Sequence, residues 1–440
     1  MKILRFQISH KFLSDASWSL AGNVLSVLTG LAVVKIITSL VVTRDYGQAS
    51  LVMGVVALLN GLLVGPLMTA HLRVYFDYLE RGMGRWFAKM FNRVLSVAGM
   101  VILLLYAFIA LIFNLTGNTT YWELLIPVSI LILAQPYLST LTNYLESHRR
   151  QKELAIVNVL HKVVYPLFLI LLLETTILPV NVIIISQGLA ILFVLAVFRV
   201  PKAQKESNKW PEDKLKELGT LRNSIVEFGW ALPLGYFVMW FVTTGDRYLI
   251  EHFSTLENVG IYAINYGFWS MPYIMLNGWL EILTRPLLYD KAAKNNWEGV
   301  KKIILQRTVF GLFVSVIGTF ALYMLGESIA AIMFGKHYWV SRELMMIIAV
   351  AHCFYVVGYS IVPLFLAGKK SKTILLATSV AAVINFVINL IFIPTYGIVG
   401  AALTTLLTYV VWVSVLAGGA YLYMRDLTQG GTLRGWARVR

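Results

Sequence analysis

Charged residues are scarce in this sequence. Asp, Glu, Lys and Arg make up 13% of its 440 residues and hydrophobic residues make up 58%, whereas soluble domains carry about 25% charged residues. The mean hydropathy is +0.73. A soluble fold of this length has no interior that could hide so much apolar surface, so the composition predicts a protein whose solvent is largely lipid.

Cysteine and catalytic motifs are also missing. Cys353 is the single cysteine, which excludes a disulfide framework and a cysteine metal cluster. The sequence has no HExxH pair and no GxxxxGK[ST] loop, since residues 368–371 lack the upstream glycine of that loop. These absences predict a protein that does not hydrolyse ATP itself, that has no cofactor or metal, and that is not an enzyme.

The sequence contains long apolar runs instead. A run of about 20 apolar residues is long enough to cross a bilayer as a helix, and twelve such spans are predicted, with no β-strand domain. They cover residues 16–42, 48–70, 92–115, 123–145, 154–173, 178–198, 224–245, 258–283, 303–325, 341–367, 373–393 and 398–424. The predicted fold is therefore an all-α polytopic membrane protein.

Lysine and arginine are distributed unevenly between the two sides that twelve spans define. Of the 37 such residues, 31 lie on the side of the termini, in the terminal segments, in the loops or in the adjoining ends of the spans, where Arg307 is counted, and four lie on the opposite side. The positive-inside rule therefore places both termini in the cytoplasm. The net charge of +15 is thus a signal of topology. No loop is long enough to build the basic surface that nucleic-acid binding needs.

The two halves of the chain carry matching features. Gly47 and Gly260 are 213 positions apart, and the same shift relates Asp77 to Asp290. Self-similarity at a large period indicates duplication, which predicts two six-helix lobes related by a pseudo-two-fold axis. The predicted segments are an amphipathic cytoplasmic N-terminus (1–15), an N-lobe (16–198), a cytoplasmic linker (199–223), a C-lobe (224–424) and a basic cytoplasmic tail (425–440).

Two lysines fall inside predicted spans. Lys35 lies in the first span and Lys162 in the fifth, where ionisable groups are costly and by default mark a pathway. Both are predicted to bind the anionic group of a substrate in a central cavity. Each is also close enough to the end of its span to extend its amine to the interface, and the sequence leaves this alternative open.

Two arginines end spans two and eight at matching positions. Arg73 and Arg285 are 212 residues apart. Guanidinium groups suit bidentate contact with phosphate, so this pair is predicted to bind a phosphate or to latch a gate at the inner mouth. As charges at cytoplasmic ends they also satisfy the positive-inside rule with no further role.

Acidic residues near the ends of spans are candidates for ion coupling or gating. Glu174 follows span five and Glu227 lies near the start of span seven. A desolvated carboxylate titrates near neutral pH and can carry a coupling proton. Both residues are also close to an interface, where they would be ordinary solvated charges. Glu281 lies four residues before Arg285, so these two charges are predicted to face each other on one helix.

Each half is also predicted to contain a charged bend between two apolar helices. The bends cover residues 44–48 and residues 246–262. Asp246 and Arg247 begin the second bend, and both are assigned to the ion-coupling or gating set.

Four stretches resemble a known family. They are Asp45-Tyr46-Gly47, then Asp246–Ile250 with Val259–Tyr262, then Leu366–Lys370, and finally the glycine-rich turn Ile393–Thr405. In this order they are similar to the hairpins of Wzx-type oligosaccharide flippases. These flippases form the polysaccharide transport branch of a superfamily that also holds multidrug (MATE) and lipid II (MurJ-type) exporters.

The resemblance implies a MATE-like fold of two lobes around a cavity that opens alternately to each face. It implies movement of an undecaprenyl-diphosphate-linked glycan from the cytoplasmic to the periplasmic leaflet of the bacterial inner membrane, driven by a gradient of H⁺ or Na⁺. The implied pathway is synthesis of O-antigen, capsule or exopolysaccharide. The expected partners are the lipid-linked oligosaccharide, membrane lipid and polysaccharide polymerase or export proteins. The family has no strict motif, so the choice of site residues rests on this sequence.

Two other functions compete with the flippase. A drug or cation antiporter of the same fold needs a net acidic cavity. A membrane enzyme, such as a glycan polymerase or ligase, needs a sizeable outer loop to hold its acceptor. The predicted outer loops have only about 4 to 16 residues, which disfavours the enzyme.

Overall fold

The computed structural model describes residues 10–117, 119–148, 150–175, 177–198, 209–229, 232–368 and 370–428. Within these ranges some side chains, those of Arg73 and Glu227 among them, lie outside the described residues. The described ranges contain thirteen α-helices, one 3-10 turn and no strand. This confirms the all-α prediction.

The helices follow the apolar runs of the sequence. They are α1 (His10–Leu40), α2 (Thr43–Glu80), α3 (Gly84–Leu115), α4 (Thr120–Glu123), α5 (Leu125–Ser147), α6 (Gln151–Leu173), α7 (Pro179–Val197), α8 (Lys214–Gly229), α9 (Leu232–Phe253), α10 (Leu256–Ala293), α11 (Trp297–Met333), α12 (Arg342–Ala367) and α13 (Ser371–Thr428). Most predicted spans fall on one of them, whereas span 123–145 begins at the end of α4 and continues in α5, and span 224–245 includes parts of α8 and α9. Among the described residues, eight helices are long and apolar enough to cross a membrane. The count of twelve spans stays a prediction.

The structure corrects the first predicted bend. The helical conformation is interrupted at Val41 and Val42, and residues 44–48 already belong to α2. Asp45 lies in the first turn of α2, where the positive end of the helix dipole stabilises a carboxylate. The charges therefore start a helix here rather than separate two helices.

The second predicted bend, residues 246–262, is much shorter in the structure. Helix α9 continues through Asp246 and Arg247 to Phe253, and the chain turns at Ser254 and Thr255. Thr255 caps α10, since its hydroxyl accepts a hydrogen bond from the main-chain N–H of Asn258 at 3.2 Å. A threonine that satisfies a free amide at a helix start is a stronger signal for a boundary than charge alone.

The glycine-rich turn near the C-terminus interrupts α13. Gly397 has φ 57° and ψ −132°, a backbone conformation that is essentially confined to glycine. Three residues later, a Cβ on Gly400 would lie 2.2 Å from the Phe392 carbonyl oxygen. Both positions require glycine, so the two helical parts of α13 meet where the sequence separates its last two predicted spans.

The chain divides into two compact units, residues 1–240 and 241–440. In the first unit α1 packs on α6, and α5 packs on α7 and α3. In the second unit α12 packs on α10, α11 and α13. The predicted division into lobes with a linker at 199–223 stays a prediction, because residues 199–208 lie outside the described ones.

The described part of the predicted linker is attached to the turn between α2 and α3. The Lys209 amide donates to the Gly82 carbonyl at 3.0 Å, and Lys89 lies 5.4 Å from the Trp210 ring centroid. Arg81 Nη1 donates to Glu217 Oε1 of α8 at 2.8 Å. This hydrogen bond lowers the pKa of the Glu217 carboxyl. Helix α8 is therefore fixed to α2 of its own unit.

Candidate substrate and ion-coupling sites

One carboxylate is shared by two arginines between α10 and α11. Glu281 Oε1 accepts a hydrogen bond from Arg285 Nε at 2.8 Å. Glu281 Oε2 accepts one from Arg307 Nη1 at 2.6 Å, and the same nitrogen donates to the Thr284 hydroxyl at 3.0 Å. We call these four residues the Glu281 cluster. The predicted pairing of Glu281 with Arg285 is present, and Arg307 is a member that the sequence did not indicate.

Arg307 is the buried member of the Glu281 cluster. Its side chain is 1% exposed, against 26% for Glu281 and 55% for Arg285. Its Nε is buried and has no hydrogen-bond partner among the described residues. Removing a guanidinium from water is costly, and the ion pair with Glu281 offsets this cost.

The position of Arg307 corrects its predicted place among the cations of the cytoplasmic side. Helix α11 begins at Trp297, so Arg307 lies about three turns inside it. The positive-inside rule counts charges by sequence position and does not distinguish a loop cation from one that the same helix buries.

The Glu281 cluster carries two guanidinium charges and one carboxylate charge, which leaves an excess of one positive charge. Arg285 is the exposed member and can be reached by an anion. Arg307 keeps Glu281 paired, so Arg285 can exchange Glu281 for a phosphate without leaving a bare carboxylate. Guanidinium groups bind phosphate oxygens through charge-assisted hydrogen bonds.

Asp246 is the second buried charge of the second unit. It is 3% exposed, and the Tyr262 hydroxyl donates to its Oδ2 at 2.6 Å. Its other oxygen, Oδ1, is buried and makes no hydrogen bond within the described residues. A buried carboxylate oxygen without a donor is costly and is a position where a proton or a cation can bind.

A network of buried amides and hydroxyls lies in the same unit. Asn385 Nδ2 donates to Thr408 Oγ1 at 3.0 Å, and Asn389 Nδ2 donates to Asn385 Oδ1 at 3.0 Å. The Asn389 Oδ1 oxygen is buried without a partner among the described residues. Carboxylate and amide oxygens are the ligands that hard cations prefer. Among the described residues, no three His, Cys, Asp or Glu side chains form a metal-binding group.

The two predicted span lysines lie on neighbouring helices of the first unit. Lys162 of α6 is half-buried, and its Nζ donates to the Ser26 carbonyl of α1 at 3.0 Å. Lys35 is exposed and lies nine residues beyond Ser26 on α1, roughly 14 Å along the helix axis. The structure therefore does not bring the two amines together, and Lys162 links two helices.

The remaining predicted residues occupy varied positions. Glu174 is an exposed residue at the C-terminal end of α6. Arg247 is partly buried and follows Asp246 on α9. The side chains of Arg73 and Glu227 lie outside the described residues. Within the predicted set, a hydrogen bond joins the side chains of Glu281 and Arg285.

The fold is that of a membrane transporter. A solved structure of the lipid II flippase MurJ in an inward closed conformation superimposes with a TM-score of 0.71 over 93% of this chain and 89% of that chain, at 16% identity. A structure of the MATE transporter VcmN from Vibrio cholerae has a TM-score of 0.68 over 95% of this chain and 99% of that chain, at 12% identity. Identities this low show the fold alone. The chain is a multi-pass membrane protein with the fold of MurJ and MATE transporters.

The sequence profile of the family described as polysaccharide biosynthesis protein matches residues 12–283. This is more than half of the chain, and the chain belongs to that family. The probable low-salt glycan biosynthesis flippase Agl15 of Haloferax volcanii is 23% identical over 181 residues, which are 40% of this chain and 36% of that relative. The matched stretch thus spans about a third of the relative. These similarities confirm the resemblance to oligosaccharide flippases.

Proposed function

We propose that the protein is a secondary transporter that flips an undecaprenyl-diphosphate-linked oligosaccharide from the cytoplasmic to the periplasmic leaflet of the bacterial inner membrane. Membership of the polysaccharide biosynthesis protein family and the transporter fold support this proposal. The flipped unit supplies synthesis of a surface polysaccharide, and both termini of the chain face the cytoplasm.

The observation that carries the proposal is the excess positive charge of the Glu281 cluster. Arg285 stands at the end of α10 that is predicted to face the cytoplasm, where the diphosphate of the substrate starts. The diphosphate replaces Glu281 on Arg285, while Arg307 retains Glu281. Lys35 and Arg73 add positive charge along the path of the diphosphate through the membrane.

Alternating access of two lobes completes the proposed cycle. Asp246 binds the coupling H⁺ or Na⁺ through its unpartnered Oδ1, next to Arg247. Glu174 and Glu227 contribute to coupling near the membrane interfaces, and Lys162 fixes α6 to α1 while the cavity changes its opening.

The test is transport of a fluorescent undecaprenyl-diphosphate oligosaccharide in proteoliposomes. We expect the Arg285→Ala variant to flip the lipid at least tenfold more slowly, because one charge-assisted contact with phosphate contributes about 1.5–3 kcal/mol. The matched control is Arg342→Ala, since Arg342 is also exposed and pairs with a carboxylate, Glu327, at 2.9 Å, but lies on the face predicted to be periplasmic. Equal rates in the two variants would contradict the role of Arg285.

The second candidate function is an ion-coupled antiporter of organic cations. The buried Asp246 carboxylate favours it, and so does the use of the Lys162 amine as a link between helices. An imposed pH or Na⁺ gradient across the same proteoliposomes distinguishes the two functions. Gradient-driven export of an organic cation that is lost in Asp246→Asn, without flipping of the diphosphate lipid, would establish the antiporter.

A further inference from the structure

An apolar groove runs along the seam between α1 and α6. It has a volume of about 250 Å³ and is lined by apolar side chains of both helices and by Gly22 of α1. Trp18 and Leu25 of α1 and Ile156 and Val163 of α6 line it and are each 38–48% exposed. The groove is therefore open on one side and offers apolar surface that the two helices do not cover.

The close approach of the two helices forms part of the lining of the groove. A Cβ on Gly22 would lie 2.4 Å from the Ala155 Cβ, so glycine lets the two backbones come together here, as small residues do between membrane helices. The larger side chains stand on either side of this contact. From Trp18 to Leu25 the groove extends roughly 10 Å along α1, which is well within one leaflet of a bilayer.

A cation stands at one end of the groove. Lys152 lies in the first turn of α6, at the end that is predicted to face the cytoplasm. Its Nζ lies 5.2 Å from the ring centroid of Trp18. Glu153 is the neighbouring carboxylate, and it is bound to Arg150 at 2.6 Å. Lys152 forms no ion pair within the described residues. The end of the groove is therefore positively charged beside an amphipathic tryptophan, as at a headgroup boundary.

The opposite end lies at the level of the Lys162–Ser26 hydrogen bond. Because this lysine is already bonded to a carbonyl, Lys152 is the cation that the described residues leave available at the groove. Its single positive charge matches the single negative charge of a phosphodiester. With Glu153 occupied, no described carboxylate there is free to pair with the ammonium of a zwitterionic headgroup.

We infer that the groove between α1 and α6 binds one anionic phospholipid of the cytoplasmic leaflet, such as phosphatidylglycerol. A fatty acyl chain lies in the groove against Leu25, Ile156 and Val163, and the phosphate contacts Lys152. The apolar area that the chain covers provides the affinity, and Lys152 provides the selectivity for an anionic headgroup. The bound lipid covers the side of the α1–α6 contact that faces the surrounding lipid. This site is independent of the diphosphate lipid that is proposed to be transported.

Trp18 provides the readout, because brominated acyl chains quench tryptophan fluorescence on contact. The intact protein is reconstituted in vesicles of phosphatidylcholine that contain brominated phosphatidylglycerol or, in parallel, brominated phosphatidylcholine. The contribution of Trp18 is the difference between the wild-type protein and Trp18→Phe. We expect the phosphatidylglycerol to quench this contribution at least twice as strongly as the phosphatidylcholine at equal mole fraction.

Two variants test the assignment of the headgroup and of the chain. Lys152→Gln should abolish the preference for phosphatidylglycerol, whereas Lys89→Gln should leave it intact. Lys89 also lies over a tryptophan, but it belongs to α3, which contributes no residue to the lining of this groove. Val159→Phe should fill the groove and reduce quenching by both lipids. Circular dichroism and gel filtration establish that each variant is folded.

Three results would overturn the inference. Equal quenching by the two lipids would mean that only bulk lipid reaches Trp18. An unchanged preference in Lys152→Gln would remove the proposed headgroup contact. Displacement of the quencher by equimolar polyprenyl diphosphate, but not by excess unbrominated phosphatidylglycerol, would identify the groove as a site for the tail of the transported lipid instead. A failure of flipping itself would leave all of these readouts unchanged.

Discussion

Lys162 and Arg307 are two cations held between helices, one in each unit of the chain, and their partners differ in kind. Lys162 is half-buried and binds the main-chain carbonyl of Ser26. Arg307 is 1% exposed and binds the carboxylate of Glu281. A carbonyl does not neutralise a charge, so Lys162 depends on its remaining contact with a polar environment. Arg307 has lost that contact and depends on a counter-charge.

These two environments show which charge the fold needs and which charge is available for function. Arg307 cannot leave Glu281 without exposing a buried ion to an apolar surrounding. Arg285, which shares the same carboxylate, is 55% exposed and can exchange partners. The most buried charge of the Glu281 cluster is therefore a positioning group, and the most exposed one is the candidate for contact with substrate.

The largest expected effect is that of Glu281→Gln. The change leaves the buried Arg307 guanidinium without a counter-charge, and we expect the free energy of unfolding to fall by about 3 kcal/mol, the lower end of the range for a broken buried pair. Unfolding of the purified protein in detergent, followed by temperature or denaturant, measures this. The double variant Glu281→Gln with Arg307→Met should recover part of the loss, since it removes both charges. A loss below about 1 kcal/mol would show that Arg307 does not need its counter-charge.

A smaller effect is expected for Lys162→Met. The Ser26 carbonyl keeps the hydrogen bond that the Thr29 hydroxyl donates at 3.1 Å, so it is not left unpaired. We therefore expect a loss of about 1 kcal/mol or less in the same unfolding assay, the usual value of one hydrogen bond. The control is Lys35→Met on α1, an exposed lysine that should show no measurable change. A loss for Lys162→Met as large as that for Glu281→Gln would end the distinction between the two cations.

The helices could be predicted from the sequence, whereas the partners of the charges could not. Apolar runs specify helices because the bilayer leaves the backbone no other way to satisfy its hydrogen bonds. The ends of the helices were harder to predict. Helix α9 passes through Asp246 and Arg247, and the hydroxyl of Thr255 marks the start of α10. Local capping geometry decided that boundary, and the hydropathy of the segment contains no information about it.

The Glu281 cluster was only half predictable. Glu281 and Arg285 are four residues apart on one helix, so their contact follows from helical geometry. Arg307 reaches them from another helix, and packing between α10 and α11 is not a local property of the sequence. One signal for the second buried network was present, because Asn385 and Asn389 share a helix face inside an apolar run. Polar residues at this spacing in a membrane span indicate an inward-facing function.

The smallest expected effect concerns an ion pair that lies outside the membrane-spanning helices. Arg81 and Glu217 join α2 to α8 at 2.8 Å, with side chains 48% and 15% exposed. Water screens such a pair, so Glu217→Gln should cost roughly 0.2–1 kcal/mol. The appropriate measurement is hydrogen exchange of the α8 amides, which should speed up by at most about fivefold if the cost lies in that range.

The pH dependence gives this last prediction its sign. The hydrogen bond from Arg81 lowers the pKa of Glu217 below its usual value. The stabilisation is therefore fully present above the usual carboxyl pKa and is lost as the pH falls through the lowered pKa. The difference in exchange between wild type and Glu217→Gln should be largest at neutral pH and should disappear in acid. A difference that persists in acid would mean that the side-chain amide introduced by Glu217→Gln disturbs the packing of α8 on α2. In that case the charge of Glu217 would contribute nothing comparable to the charge of Arg307.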